Sequence, residues 1–151
     1  MRPVIDVAVA VMAVAASAAD VPAFDQRLQA LGAEYRQLQT QRGHFDGASR
    51  NEAVDRWGGR KHEVMESLRQ GLAARPHTTR AQVVSLLGEP DAQWRAGEPA
   101  PRLLPSELRE TPAPDALWLW YRWRGTRDGL ALRFDPRNDR LELVAWSYTG
   151  E

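Results

Sequence analysis

The clearest structural signal in the sequence is the stretch TRAQVVSLLGEP at residues 79–90. Thr79 and Gln82 have the spacing of a capping box, in which each side chain satisfies a free backbone group at the start of a helix. Glycine and proline at positions 88 and 90 are typical of a helix end, where glycine is commonly left-handed. The stretch therefore predicts a short helix that begins after Thr79 and stops at a left-handed Gly88. Its predicted buried face consists of Val83, Leu86 and Leu87.

The chain that follows this helix is predicted to form strands. Residues 116–123 are rich in aromatic and apolar side chains, and turn signals separate them from an alternating segment at 130–134 and a third at 140–148. Short connections favour an antiparallel three-stranded meander. Residues 95–115 hold five of the ten prolines and are expected to form an excursion between the helix and the first strand.

The chain that precedes this helix is predicted to be helical. Residues 21–42 carry an apolar stripe of helical period, with Asp20 as the expected N-cap. Residues 60–74 carry a second stripe, and 51–57 fit a short helix capped by Asn51. The predicted fold is a single α+β domain over residues 20–151, in which helices at 20–77 pack on a helix and a three-stranded antiparallel sheet at 78–151. Three strands cannot bury their apolar face alone, so helices must cover it.

The first 19 residues have the pattern of a secretory signal peptide. Arg2 precedes a ten-residue apolar run at 7–16, which is too short to span a bilayer, and small residues follow. We predict that the mature protein begins at Ala19 or Asp20, that it is periplasmic or secreted, and that it is soluble. The chain has no cysteine for lipidation.

Composition excludes several classes of protein. The 151 residues carry 20 basic and 20 acidic side chains and no cysteine. A cysteine-free chain has no disulfide scaffold and no thiolate metal site. Zero net charge does not favour nucleic acid as a partner. The sequence indicates no cofactor, and Lys61 is notable because it is the only lysine beside 19 arginines.

The order of these elements resembles the SmpA/OmlA family of bacterial outer-membrane accessory proteins. The resemblance covers residues 78–148, where TTRAQVVSLLGEPD matches the family pattern T-x-x-x-V-x-x-x-L-G-x-P at Thr79, Val83, Leu87, Gly88 and Pro90. It implies a helix-helix-β-β-β arrangement, an envelope setting and a scaffolding role without catalysis. The chain departs from the family in lacking a lipidation cysteine and in carrying residues 20–77. GHFDG, WGGRKH and WSYTGE, with the stretches between them, also resemble a family of small proteins that has no assigned activity.

Two groups of residues are candidates for a ligand site or for catalysis. Gly58, Gly59, Arg60, Lys61 and His62 open a helix, where free N–H groups and cationic side chains favour an anion. His44 and Asp46, together with His62, could supply metal ligands or the acid–base groups of a hydrolase. The spacing of a metalloprotease motif is missing, because position 66 is Glu66. We expect no metal and assign no catalytic residue.

A third candidate is one face of the first predicted strand. Trp118, Trp120, Arg122 and Arg124 alternate along it and would share one face if the strand is regular. This face is either packed or exposed as an aromatic and cationic interaction surface. The leading functional hypothesis is a non-catalytic periplasmic or cell-envelope accessory protein that binds another macromolecule, with an envelope protein as the expected partner. The alternatives are a small-anion module at 58–62 and a hydrolase that uses His44, Asp46 or His62.

Overall fold

The computed structural model describes residues 24–95, residue 98 and residues 115–148. Within these residues the chain forms an α+β structure in which helices cover one face of an antiparallel sheet. The helices are α1 (Gln26–Leu38), α2 (Glu52–Asp55), α3 (Arg60–Ala73) and α4 (Arg80–Leu87), with a 3-10 turn at His44–Asp46. The strands are β1 (Ala92–Arg95), β2 (Leu117–Arg124), β3 (Asp128–Phe134) and β4 (Leu141–Ser147).

Helix α4 confirms the predicted capping box but corrects the predicted geometry of Gly88. The Thr79 hydroxyl accepts the N–H of Gln82 at 3.2 Å, and the Gln82 side chain accepts the N–H of Thr79 at 2.9 Å. The φ of Gly88 is positive, at 85°, as the left-handed prediction requires, but its ψ of −175° lies outside the left-handed helical region. The reason is that this residue leads the chain out of α4 toward β1, while its carbonyl accepts the Tyr121 hydroxyl at 2.9 Å. Such a conformation is nearly restricted to glycine.

Helix α1 begins later than the sequence pattern predicted. Asp25 is the N-cap, because its carboxylate accepts the N–H of Leu28 at 2.8 Å. Asp20, the predicted cap, lies outside the described residues. The predicted stripe is confirmed where it falls in the helix, since Leu28, Tyr35 and Leu38 are buried.

The sheet has four strands in the order β1-β2-β3-β4, all antiparallel, so the prediction of three strands is wrong by one. The additional strand, β1, pairs Ala92 with Trp120 and Trp94 with Trp118. Its four residues are too few to show a periodic pattern, and they form a strand because β2 offers an unpaired edge beside them. The remainder of the predicted Pro-rich excursion, apart from residues 98 and 115, lies outside the described residues.

The two faces of the sheet bury different sets of side chains. Helices α1, α3 and α4 pack on the face that carries Leu119, Tyr121 and Trp123, and this is the main core. Trp94, Trp118, Trp120 and Ala131 form a smaller buried cluster on the opposite face. Helix α3 and the end of β2 therefore meet in the main core, and this contact positions the candidate site.

The predicted signal peptide lies outside the described residues. In the ranges that the structure describes, no helix combines the length and the apolar character needed to cross a bilayer.

Candidate functional site

The cationic side chains of the predicted anion site do not converge. Arg60 pairs with Glu34 of α1, at 2.6 Å between Nη2 and Oε2. Lys61 is buried and donates to the Gln39 side chain at 2.6 Å, whereas His62 packs among tryptophan rings. Because successive helical residues point about 100° apart, neighbours at a helix start face different surroundings. Residues 60–62 thus place their three side chains in three separate environments.

Lys61 is the buried member of a polar network that links α1, α3 and β2. The side chain is 2% exposed, and its partner Gln39 in turn donates to Asp91 at 3.0 Å. Asp91 also accepts the backbone N–H of Arg122 at 2.7 Å. Burial, with a smaller contribution from the Arg122 charge, lowers the pKa of Lys61 to about 8 against the opposing effect of Asp46 and Asp91.

The lowered pKa of Lys61 predicts that stability increases with pH in a mildly alkaline range. Between pH 8 and the usual lysine pKa of 10.5, the unfolded chain binds the proton more tightly than the folded protein. The free energy of unfolding should therefore rise, by about 1.5 kcal/mol between pH 8 and 9.5. Urea unfolding at each pH measures this rise. The range stops below pH 10 because burial raises the pKa of Tyr121, which has the opposite effect there.

A Lys61→Met variant is the control for this prediction. It should lose the rise with pH, and at pH 7 it should be at least as stable as the parent, because a buried charge is replaced by an apolar chain of similar length. An equal rise in both proteins would assign the pH dependence to other groups.

His44, Asp46 and His62 do not form one catalytic or metal-binding group. Asp46 pairs with Arg122 at 3.4 Å, and its backbone carbonyl accepts from Arg42. His44 is exposed beside Phe45. Across residues 24–95 and 115–148, no cluster of three histidine or carboxylate side chains has the arrangement of a metal site. Among the described residues, no hydrogen bond or ion pair joins two of these three side chains.

A cleft of about 460 Å³ lies where the 3-10 turn, α2 and the end of β2 meet. Its volume is in the range of small-ligand pockets. The residues that line it are Asp55 and a set of aromatic and cationic residues, namely His44, Phe45, Arg50, Arg56, Trp57 and Arg124. The sequence predicted His44 and Arg124 as members of two different candidate sites, and the structure places both at this cleft.

Asp55 holds the backbone of the cleft together. Its Oδ2 accepts the backbone N–H of His44 at 2.8 Å and that of Asn51 at 2.7 Å. Burial raises the pKa of Asp55, but these backbone donors and that of Phe45 outweigh it, so the pKa lies below its usual value. Gly43 is required beside this carboxylate, because a Cβ atom there would lie 2.0 Å from Oδ1 of Asp55.

Three exposed aromatic residues collect around the cleft, and we call Phe45, Trp57 and Tyr148 the aromatic face. They are 43%, 55% and 42% exposed and are the large hydrophobic residues exposed in the described part of the chain. The Trp57 and Tyr148 ring centroids are 5.0 Å apart. Phe45 joins them through Arg124, whose guanidinium lies 4.3 Å from the Phe45 ring and 4.1 Å from the Trp123 ring.

Buried groups hold the aromatic face in place. The His62 ring lies 4.3 Å from Trp57, 4.8 Å from Trp123 and 5.0 Å from Trp146. Burial lowers the pKa of His62, and its Nδ1 accepts the N–H of Gly58 at 3.3 Å, so the ring is neutral at physiological pH. The neutral imidazole is an uncharged packing surface beneath Trp57.

The ring of Trp146 is fixed by a charged partner. Its indole N–H donates to Glu66 at 2.6 Å, and Glu66 is held in turn by Arg69 at 2.7 Å. Hydrogen bonding from Arg69, with smaller contributions from Trp146 and Gln70, lowers the pKa of Glu66 to about 2. The anchor therefore stays charged across the physiological range of pH.

The residues of the interaction surface predicted on β2 lie in different environments. Trp118 and Trp120 are 4% and 7% exposed and pack with Trp94, so the packed alternative holds for these rings. A bulge lies between Arg122 and Arg124, so the regular alternation that begins at Trp118 and Trp120 extends to Arg122 and ends before Arg124. Arg124 reaches the cleft, where Nε donates to Asp128 at 2.9 Å and Nη1 donates to the Asp55 carbonyl.

Sequence reasoning did not identify Phe45, Arg50, Arg56, Trp57 or Tyr148 as site residues. Their only local signal is that Phe45 lies between Gly43 and Gly47 and that Trp57 precedes Gly58, outside any apolar stripe, where an aromatic side chain is not needed for a helical core.

A second cleft of similar volume lies between α1 and α4. Its arginine, Arg36, donates to the Leu86 and Ser85 carbonyls at the end of α4 and so completes the helix. The first cleft is the better candidate site, because its aromatic side chains are exposed and because its arginines do not all donate to backbone carbonyls. Comparison of the chain with protein-family models, curated proteins and solved structures finds no match.

Proposed function

We propose that this protein is a non-catalytic accessory protein of the cell envelope that binds a partner protein through the aromatic face. The observation that carries the proposal is the collection of Phe45, Trp57 and Tyr148 at one end of the sheet, beside Arg56 and Arg124. Tryptophan, tyrosine and arginine are the residue types that dominate binding energy in protein interfaces.

The arrangement supports a preformed interface. The Trp57 ring rests on His62, and Arg124 is held by Asp128 and by the Asp55 carbonyl. Side chains that are already ordered lose little conformational entropy on binding. An exposed aromatic cluster rimmed by charged groups is also the usual mark of an interaction site.

The envelope setting rests on the sequence. The signal-peptide pattern at 1–19 supports export, and the resemblance to the SmpA/OmlA family over 78–148 supports a scaffolding role. The partner is expected to present acidic groups, because three arginines and one aspartate line the cleft and complementary charges select partners.

A photocrosslinking amino acid at position 57, introduced in the native host, tests this proposal. The control places the same amino acid at Arg137, which is 89% exposed in the turn at the other end of the sheet. We expect one envelope protein, identified by mass spectrometry, to crosslink at 57 and not at 137. The purified partner should then bind the parent at least ten times more tightly than the Trp57→Ala variant.

Trp57→Ala should fold normally, because the side chain is more than half exposed, and circular dichroism verifies this. Equal crosslinking at both positions, no crosslink at 57, or a crosslink only to a second copy of this chain would overturn the proposal.

A further inference from the structure

The cleft beside the aromatic face has a charge imbalance that points to the chemistry of its occupant. Asp55 is the acidic residue in its lining, and its Oδ2 is turned onto backbone N–H groups of the loop. Arg124 is paired with Asp128. Arg56 is exposed and forms no ion pair with any residue that the structure describes.

Arg50 adds a second available cation. It pairs with Glu52 at 2.6 Å, but the two side chains are 75% and 57% exposed. Exposed ion pairs of this kind contribute little, so an incoming anion can replace Glu52 at small cost. Guanidinium groups bind carboxylates with two parallel hydrogen bonds, which favours a planar anion.

The apolar part of the lining adjoins these arginines. Phe45 and Trp57 present ring surface in the same cleft, and the aromatic surface continues from Trp57 to Tyr148 beyond it. An occupant that satisfies both features carries a carboxylate and a flat apolar group, and it extends past the cleft. Side chains two residues apart on an extended peptide lie about 7 Å apart on one face, so one such pair can reach an arginine and an aromatic ring of the same cleft.

We infer that the cleft binds an extended peptide segment of the partner in which an acidic side chain lies two residues from an aromatic one. The carboxylate lies against Arg56 and Arg50, and the aromatic ring packs on Trp57. This inference rests on the proposed function, since it names the part of the partner that the aromatic face receives.

Two synthetic peptides provide the test. Both are acetylated, amidated pentapeptides of glycine with phenylalanine at the second position; one has glutamate at the fourth position and the other has lysine. Binding is followed by NMR at the indole N–H of Trp57, assigned with a Trp57→Phe variant. The glutamate peptide should bind at least ten times more tightly than the lysine peptide and ten times more tightly than free benzoate.

Arg56→Gln is the diagnostic variant, and Arg137→Gln is its matched control at the far end of the sheet. The first should weaken the glutamate peptide at least fivefold, and the second should leave its affinity unchanged at the same ionic strength. Equal binding of the two peptides, or equal loss in both variants, would overturn the inference. Benzoate that binds as tightly as the glutamate peptide would overturn it in favour of a small acid.

The peptide-binding experiment and the crosslinking experiment can fail independently of each other. If position 57 crosslinks an identified envelope protein while no peptide shifts the Trp57 indole, the proposed function stands and this inference fails. If the glutamate peptide binds as expected but no partner protein is found, the cleft chemistry stands and the proposed function fails.

Discussion

Replacing Asp55 with alanine should lower the free energy of unfolding by about 3 kcal/mol. The change leaves the backbone N–H groups of His44 and Asn51 without their acceptor at two partly buried hydrogen bonds, and an unsatisfied buried donor costs about 1–3 kcal/mol. Because the same carboxylate joins the 3-10 turn to α2, the variant should also lose the cleft and its peptide binding. Urea unfolding measures the stability, and NMR at Trp57 measures the binding.

Two further variants serve as comparisons for Asp55→Ala. Asp55→Asn keeps one oxygen for the two N–H groups but loses the charge and replaces the second oxygen with an NH2 group, so it should cost about half as much. Glu63→Ala removes an exposed carboxylate from the start of α3, 3.8 Å from Arg60, and should cost less than about 1 kcal/mol. If Asp55→Ala were no more harmful than Glu63→Ala, the carboxylate would not hold the cleft.

Replacing Trp123 with alanine should cause the larger loss, about 4 kcal/mol, which is typical of deleting a buried large aromatic ring. Trp123 is 0% exposed and contacts His62, Trp57 and Trp146, besides the Arg124 guanidinium. The cavity would remove the support beneath the aromatic face. Thermal or urea unfolding measures the stability, and the near-ultraviolet circular dichroism of the tryptophans reports the loss of their fixed packing.

Trp123→Phe separates ring packing from hydrogen bonding at this position. The indole N–H of Trp123 has no acceptor among the described residues, so phenylalanine loses no hydrogen bond and retains part of the ring contact. We expect a loss of about 1–2 kcal/mol from the smaller volume. A phenylalanine variant as unstable as the alanine variant would show that the indole N–H has a stabilising partner.

The sequence by itself determined the elements whose evidence is local. The capping box at Thr79 and Gln82, the stripes of α1 and α3 and the three long strands were all predicted, because helical and strand periods are set by neighbours in sequence. The same reasoning misplaced the start of α1 and missed β1. Asp20 and Asp25 both suit an N-cap, and a four-residue strand has no period of its own.

The candidate site was decided by the tertiary structure. Phe45, Trp57, Arg124 and Tyr148 lie far apart in the chain and meet only because α3 packs against the end of β2. The alternation on β2 marked Trp118, Trp120, Arg122 and Arg124 alike, yet Trp118 and Trp120 are buried while Arg124 lines the cleft. A residue's type and its spacing are properties of the sequence, whereas its exposure depends on which distant surfaces cover it. For that reason the sequence determined the long helices and strands of this protein, and only the packing decided which aromatic and cationic side chains line the cleft.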